Sequence, residues 1–152
     1  MTSEELKQSI IRIQPSAVFE EGGEWLTIQL EPAGWKAFAQ DLRHRSDWDL
    51  DFLFCVTCVD WKTHLTMVYH LRSTHHRHHL VVKIKLDRTK PETDSVADIW
   101  RTADFNEREA YEMFGVQFIG HPDLRLLILP DGWEGKNPMR KDFEDPVNMI
   151  RL

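Results

Sequence analysis

The residues best equipped for chemistry lie between Ala103 and Phe118, in ADFNEREAYEMFGVQF, which crowds four acids, one arginine and four aromatic rings together. Paired carboxylates serve as an acid/base couple, as hard-metal ligands or as grips on another protein. Asn106 with Glu109 three residues later fits an N-cap and its partner, and Gly115 fits a helix stop, which predicts about two turns of helix from Glu107 to Phe114. At about 100° per residue, Glu109 and Glu112 are neighbours on that helix and Glu107 lies away from them. Ala110, Met113 and Phe114 form the apolar side. Asp104 and Glu112, each four residues from Arg108, are its expected ion-pair partners. Early acids also suit the positive end of a helix dipole, so chemistry, docking and helix stabilisation all stay open at this point.

Two other clusters have ligand character. Cys55 and Cys58, in CVTC, have the spacing of a zinc, iron–sulfur or redox pair. They sit in a strand-like run, where residues three apart point to opposite faces, so buried structural thiols are expected. HHRHH, residues 75–79, offers imidazoles but no carboxylate or thiol within the run. It falls where a hairpin turn belongs, and a solvated turn with adventitious nickel or zinc affinity is the expectation. A stand-alone metal-dependent enzyme built from the acids and these histidines is the competing reading. No phosphate-cradling Gly-rich loop or H-E-x-x-H pattern is present.

The elements that must position these groups follow from pattern. Thr2 or Ser3 ahead of Glu5, Leu6, Ile10 and Ile13 predicts a capped first helix. SAVFEEGGEWLTIQLE reads as two strands around Gly22-Gly23. Pro32 opens a second helix with Trp35, Phe38, Ala39 and Leu42 at helical spacing. DFLFCVTCVDW is nearly continuous in apolar character, as for a strand covered on both faces. HLTMVYHLRS and HHLVVKIKLD alternate, which predicts an antiparallel hairpin joined through STHHRH. Beyond Pro91, Ser95 with Asp98 resembles a capping box, and Val96, Ile99, Trp100 and Ala103 form a helical stripe. From Gly120 onward Gly, Pro and charge dominate, and a tail follows that has too little periodicity to fold alone.

The protein has 152 residues, enough for one domain, and a net charge of −6, which argues against a nucleic-acid binder that relies on overall basicity. Six tryptophans and eight phenylalanines leave room for an aromatic docking surface beside an ordinary core. No apolar run approaches the ~20 residues of a spanning helix. MTSEELKQSI lacks a basic start followed by an apolar block, so no signal peptide is expected, and reduced thiols follow. Any membrane contact is expected through a partner.

The stretch NEREAYEMFGVQFIGHPDLRLLIL resembles the signature of the C-type subunit family of NADH-quinone oxidoreductase, respiratory complex I. The resemblance rests on Glu107, Arg108, Glu109, Glu112, Phe114, Gly115, Phe118, Gly120, His121, Pro122, Leu124 and Arg125. The tail GWEGKNPMRKDF extends it through Gly132, Gly135, Pro138, Arg140, Lys141, Asp142 and Phe143; Lys136-Asn137, Met139 and Leu126 depart from the family pattern. Upstream, the likeness reaches through LFCVTCVDW, where an aspartate ends the strand.

What the resemblance implies is an α+β fold: a two-layer domain with a mixed, largely antiparallel sheet packed on helices over residues 1–130, and an extended C-terminal docking tail over 131–152. It implies no catalytic, cofactor or metal residue in this protein, with FMN and iron–sulfur clusters held by partner subunits. The expected partners are the D-type subunit, with the B- and I-type subunits nearby, in the peripheral arm on the cytoplasmic side of the inner membrane. The implied role is scaffolding: Arg125, Arg140, Lys141 and Asp142 would contact partners, Trp133 would anchor, and the helix carboxylates would brace the loop that follows. Equivalent subunits of membrane-bound hydrogenases or ferredoxin- or F420-linked complexes fit the same resemblance.

Overall fold

Alternation dictates the sheet. In the computed structural model, which describes residues 1–149, Leu65, Met67, Tyr69 and Leu71 of β4 (Leu65–Arg72) and Leu80, Val82, Ile84 and Leu86 of β5 (His79–Leu86) all turn into one core. The two strands pair antiparallel with Tyr69 opposite Val82, joined through residues 73–78 as the alternation predicts. The earlier hairpin forms β1 (Val18–Glu20) and β2 (Thr27–Leu30), and β3 spans Phe52–Asp60. The five strands run in the order β1-β2-β5-β4-β3. Only the β2–β5 contact is parallel, so the sheet is mixed and largely antiparallel.

Helices cover one face. α1 (Ser3–Ile13) starts at a reciprocal capping box: the Thr2 hydroxyl accepts the Glu5 N–H, and the Glu5 carboxylate accepts the Thr2 N–H. It buries Leu6 and Ile10. α2 (Trp35–His44) begins after Gly34, whose φ of 80° suits glycine, and buries Trp35, Phe38, Ala39 and Leu42 as their spacing requires. α3 (Ala103–Phe114) packs along β3, and a small parallel pair, β6 (Glu92–Asp94) with β7 (Gln117–Ile119), flanks it. The result is a two-layer α+β domain.

Three expectations need correction. β3 is an edge strand with one face uncovered, because a bulge between Leu53 and Cys55 leaves Phe54 unpaired and switches the parity of the apolar run. Leu53, Val56 and Cys58 face inward, while Phe52 and Phe54 are exposed. Residues 95–102 form turns rather than a helix: Ser95 turns to a buried carboxylate, and Asp98 pairs with Lys36 of α2. Val96, Trp100 and Ala103 of the expected stripe are nonetheless buried.

The histidine run is the third. His75, His76 and Arg77 form the exposed turn expected of them, but the run also docks on the α2–β3 connection. His78 is buried and donates from Nε2 to the Trp48 carbonyl at 2.7 Å, and His76 donates to the Ser46 carbonyl at 2.9 Å. Burial lowers the His78 pKa, consistent with a ring kept neutral. Replacing His78 by alanine leaves a buried carbonyl unpaired and should cost about 1–3 kcal/mol, read as a lower denaturant midpoint at unchanged m-value.

Candidate functional site

α3 begins a turn earlier than the Asn106 cap predicts. Its N-cap is Thr102, which makes no side-chain cap bond, and Asn106 instead lies inside the helix and donates to the Thr102 carbonyl. The Thr102 hydroxyl is used elsewhere, donating to the Leu53 carbonyl at 2.6 Å. Gly115 ends the helix at φ 80° with its N–H on the Tyr111 carbonyl.

The signature acids separate by environment. Glu109 is exposed, whereas Glu107 and Glu112 are essentially inaccessible. Glu112 receives the backbone N–H groups of Leu127, Ile128 and Leu129 at 2.8, 3.0 and 3.2 Å. The backbone bends at residues 127–129 so that three successive N–H groups converge, and a single carboxylate satisfies them. Glu107 accepts the Ser95 hydroxyl at 2.6 Å and the Val96 N–H at 2.8 Å. Arg108 does not bind the acids four residues away. It lies over the Phe105 ring and donates to the carbonyls of Arg125 and Leu126 at 3.2 and 2.6 Å. Together these three side chains clasp residues 95–96 and 125–129 to the helix.

The segment entering the clasp is fixed by His121, whose imidazole is fully enclosed. Nδ1 accepts the Asp123 N–H, so the proton sits on Nε2 and is donated to the Asp104 carbonyl. Pro122 follows on the surface, and Arg125 makes only a local pair with Asp123, with both side chains largely exposed.

The tail returns to the domain. Arg140 donates to the Phe114 carbonyl at 2.7 Å, at the C-terminus of α3, and to the Arg88 carbonyl at 3.1 Å. Asp60, buried at the end of β3, accepts a two-pronged contact from Arg88 and the N–H groups of Lys62 and Lys141. The Arg88 guanidinium is the main reason its carboxyl lies far below the usual carboxylate range. Arg88 also reaches Asp142. Arg140 and Asp142, expected to contact partners, are both bonded within the protein, and the Asp142 side chain remains largely exposed. Lys141 contributes its backbone to Asp60, and Trp133 packs on Phe143 with Lys136 over its ring. The last three residues of the expected tail lie outside the described residues. Sequence reasoning passes over Arg88, takes Ser95 as a helix cap and takes Asp60 only as a strand end; a lone acid closing an apolar strand is the signal that finds it.

The ligand-like clusters resolve differently. Cys55 and Cys58 point to opposite faces of β3, opposite His70 and Met67. Burial pushes the Cys58 thiol up to about 12, which keeps it protonated and unreactive. Among the described residues, Asp49, Asp51 and His75 bring ligand atoms within 4.8 Å of one another. Those atoms are already bonded: His75 to Asp49 at 2.6 Å, and Asp51 to the N–H and hydroxyl of Thr74 at 2.7 and 2.5 Å.

Fold and site together define a small α+β protein whose polar interior holds extended segments in place. A family model described as "Respiratory-chain NADH dehydrogenase, 30 Kd subunit" matches residues 28–147, and the chain belongs to that family. Among relatives, it is 35% identical over 138 residues to the C subunit of NADH-quinone oxidoreductase from Moorella thermoacetica, covering 90% of this chain and 91% of that one. It is 43% identical over 129 residues to the C/D subunit of the Phocaeicola vulgatus enzyme, covering 84% of this chain. It is 42% identical over 96 residues to the C subunit of F(420)H(2) dehydrogenase from Methanosarcina mazei, covering 62% of this chain and 61% of that one. The match spans only 25% of the Phocaeicola protein and 46% of the C subunit from Chloroherpeton thalassium. Among solved structures, one polypeptide of the archaeal membrane-bound sulfane sulfur reductase aligns with TM-score 0.80 at 28% identity, over 93% of this chain and 85% of that one. A trypsin-resistant fragment of Nqo5 aligns with TM-score 0.68 at 26% identity, over 81% of this chain and all of the fragment.

Two substitutions test the clasp and the tail seat. Glu112→Gln keeps the shape but removes the anion under three N–H groups; it should cost about 1–3 kcal/mol and raise amide exchange selectively at residues 127–129. Gly115→Ala would place Cβ 2.6 Å from Asn137 Nδ2 at a positive φ, so limited proteolysis should cut the tail sooner, with partial rescue by Asn137→Gly.

Proposed function

We propose that this protein is a non-catalytic scaffold subunit in the peripheral arm of an NADH-quinone oxidoreductase. In this reading it docks on the D-type subunit near the B- and I-type subunits, and supports electron transfer from NADH to quinone without a redox group of its own. One observation carries it: the buried charges of the signature are consumed in shaping the surface rather than lining a reactive cleft. Glu107, Arg108 and Glu112 all bind the protein's own backbone or hydroxyl groups. Outside them stand Phe105, 62% exposed and under the Arg108 guanidinium, and Ile128, 67% exposed with its N–H on Glu112; the Arg125 side chain is 70% exposed and its carbonyl accepts from Arg108. Exposed aromatic and aliphatic side chains with an arginine have the composition of a binding hot spot. Several relatives are named as a combined C/D subunit, which supports a D-type partner.

FMN and iron–sulfur clusters belong, in this proposal, to the neighbouring subunits, and opposed rather than convergent cysteines support that division. No helix among the described residues is long and apolar enough to cross a membrane, and the proposed position is peripheral, on the cytoplasmic side, through the complex. A second reading keeps the role and changes the parent complex. The TM-score of 0.80 to a sulfane sulfur reductase polypeptide and the F(420)H(2) dehydrogenase relative favour it; identifying co-purified subunits by mass separates the two.

Arg140 is unsuitable for testing docking because its loss would loosen the tail itself. Phe105→Ser with Ile128→Ser should leave the melting temperature nearly unchanged and reduce co-purification with a D-type subunit roughly tenfold or more. Normal assembly with selectively lost turnover would point to a direct catalytic role instead.

A further inference from the structure

Glu107 is a buried acid whose capacity to take up a proton the docking reading leaves unused. The groups that face it come from every neighbouring element: Lys36 from α2, Tyr69 from β4, Ser95 and Val96 after β6, Asp104 one turn back on α3, and His121 after β7. His121 Nε2 lies 3.8 Å from the Glu107 carboxylate. Its other nitrogen is occupied as the acceptor of the Asp123 N–H. Nε2 also lies 3.2 Å from Asp104 Oδ1. Among the described residues no lysine or arginine forms an ion pair with the fully buried Glu107 carboxyl, so a proton arriving there removes an uncompensated charge. Lys36 is committed to the Ser95 carbonyl and to Asp98, and its charge reaches Glu107 only at a distance.

We propose that Glu107 is a proton-operated clasp that binds residues 95–97 and 121–123 to α3 most tightly when its carboxyl is protonated. The clasp is a property of the isolated protein. Its consequence for assembly, pH-dependent presentation of Phe105, Arg125 and Ile128, rests on the docking reading above.

Burial is the dominant influence on this carboxyl and raises its pKa from 4.5 to about 7. Asp104 acts in the same direction, and the hydrogen bonds from Ser95 and Val96 and the charge of Lys36 act against it. Because the folded value lies above that of a hydrated carboxyl, the associated stability is fully present below 4.5 and is lost as pH rises through about 7. Any opening that admits water to Glu107 is therefore favoured with rising pH across that window, by up to about tenfold per pH unit.

Hydrogen exchange followed by NMR on the full-length protein at pH 5, 6, 7 and 8, corrected for intrinsic exchange, reads this directly. The opening constants at Val96 and Asp123 should rise roughly fortyfold from pH 5 to 7 and only about twofold more by pH 8, and Glu107→Gln should make them independent of pH. A flat wild-type profile overturns the proposal. So does an unchanged slope in Glu107→Gln, which would assign the dependence to His121 or Asp104. If that variant fails to fold, the carboxyl carbon resonance of Glu107 in the wild type decides: a midpoint near 7 supports the clasp, and one near 4.5 ends it. Failure to bind a D-type subunit would count against the docking reading and leave these exchange results standing.

Discussion

Polypeptide outside helices and sheets has backbone N–H groups with no partner of its own, and in this protein buried carboxyl groups supply partners for them. Glu112 holds three successive N–H groups of residues 127–129, Glu107 holds Val96, and Asp60 holds Lys62 and Lys141. A buried carboxyl is costly unless its lone pairs are met, and each of these groups accepts at least two hydrogen bonds. The complementary device uses cations for orphan carbonyls: Arg108 takes Arg125 and Leu126, and Arg140 takes Phe114 and Arg88. Much of the polypeptide beyond β7 is ordered by this exchange rather than by regular secondary structure.

This arrangement answers the question raised by the acid-rich helix. Its carboxylates differ in role because they differ in burial: Glu109 is solvated, Glu107 and Glu112 are enclosed, and Asp104 borders the enclosed His121. The expected bracing of the following loop is present in Glu112 and Arg108. The expected ion pairing of Arg108 along the helix gives way to carbonyls of a returning segment, which approach the guanidinium more closely than its own helical neighbours. A family resemblance located the residues; the structure supplies what each one touches.

Local signals were readable wherever neighbouring residues decide the outcome. The Thr2–Glu5 box, the Gly22-Gly23 turn, the α2 stripe and the alternation of β4 and β5 depend on contacts within a few positions. The misreadings share one cause, which is a distant partner. Ser95 and Asp98 look like a capping box, yet Glu107 and Lys36 claim them from 12 and 62 residues away. HHRHH looks like a free turn until the α2–β3 connection closes over His78. The site was legible as a set of positions and illegible as a set of bonds, because Asp60 and Arg88 meet Lys141 and Asp142 only after the whole polypeptide has folded back.

The bulge at Phe54 has a consequence for the isolated protein. A nine-residue border strand offers a ready template for edge-to-edge aggregation with identical molecules. The extra residue twists that border, the Thr102 hydroxyl occupies the Leu53 carbonyl near one end, and the returning tail closes on Asp60 at the other. A freshly made copy is thereby guarded against sticking to its siblings.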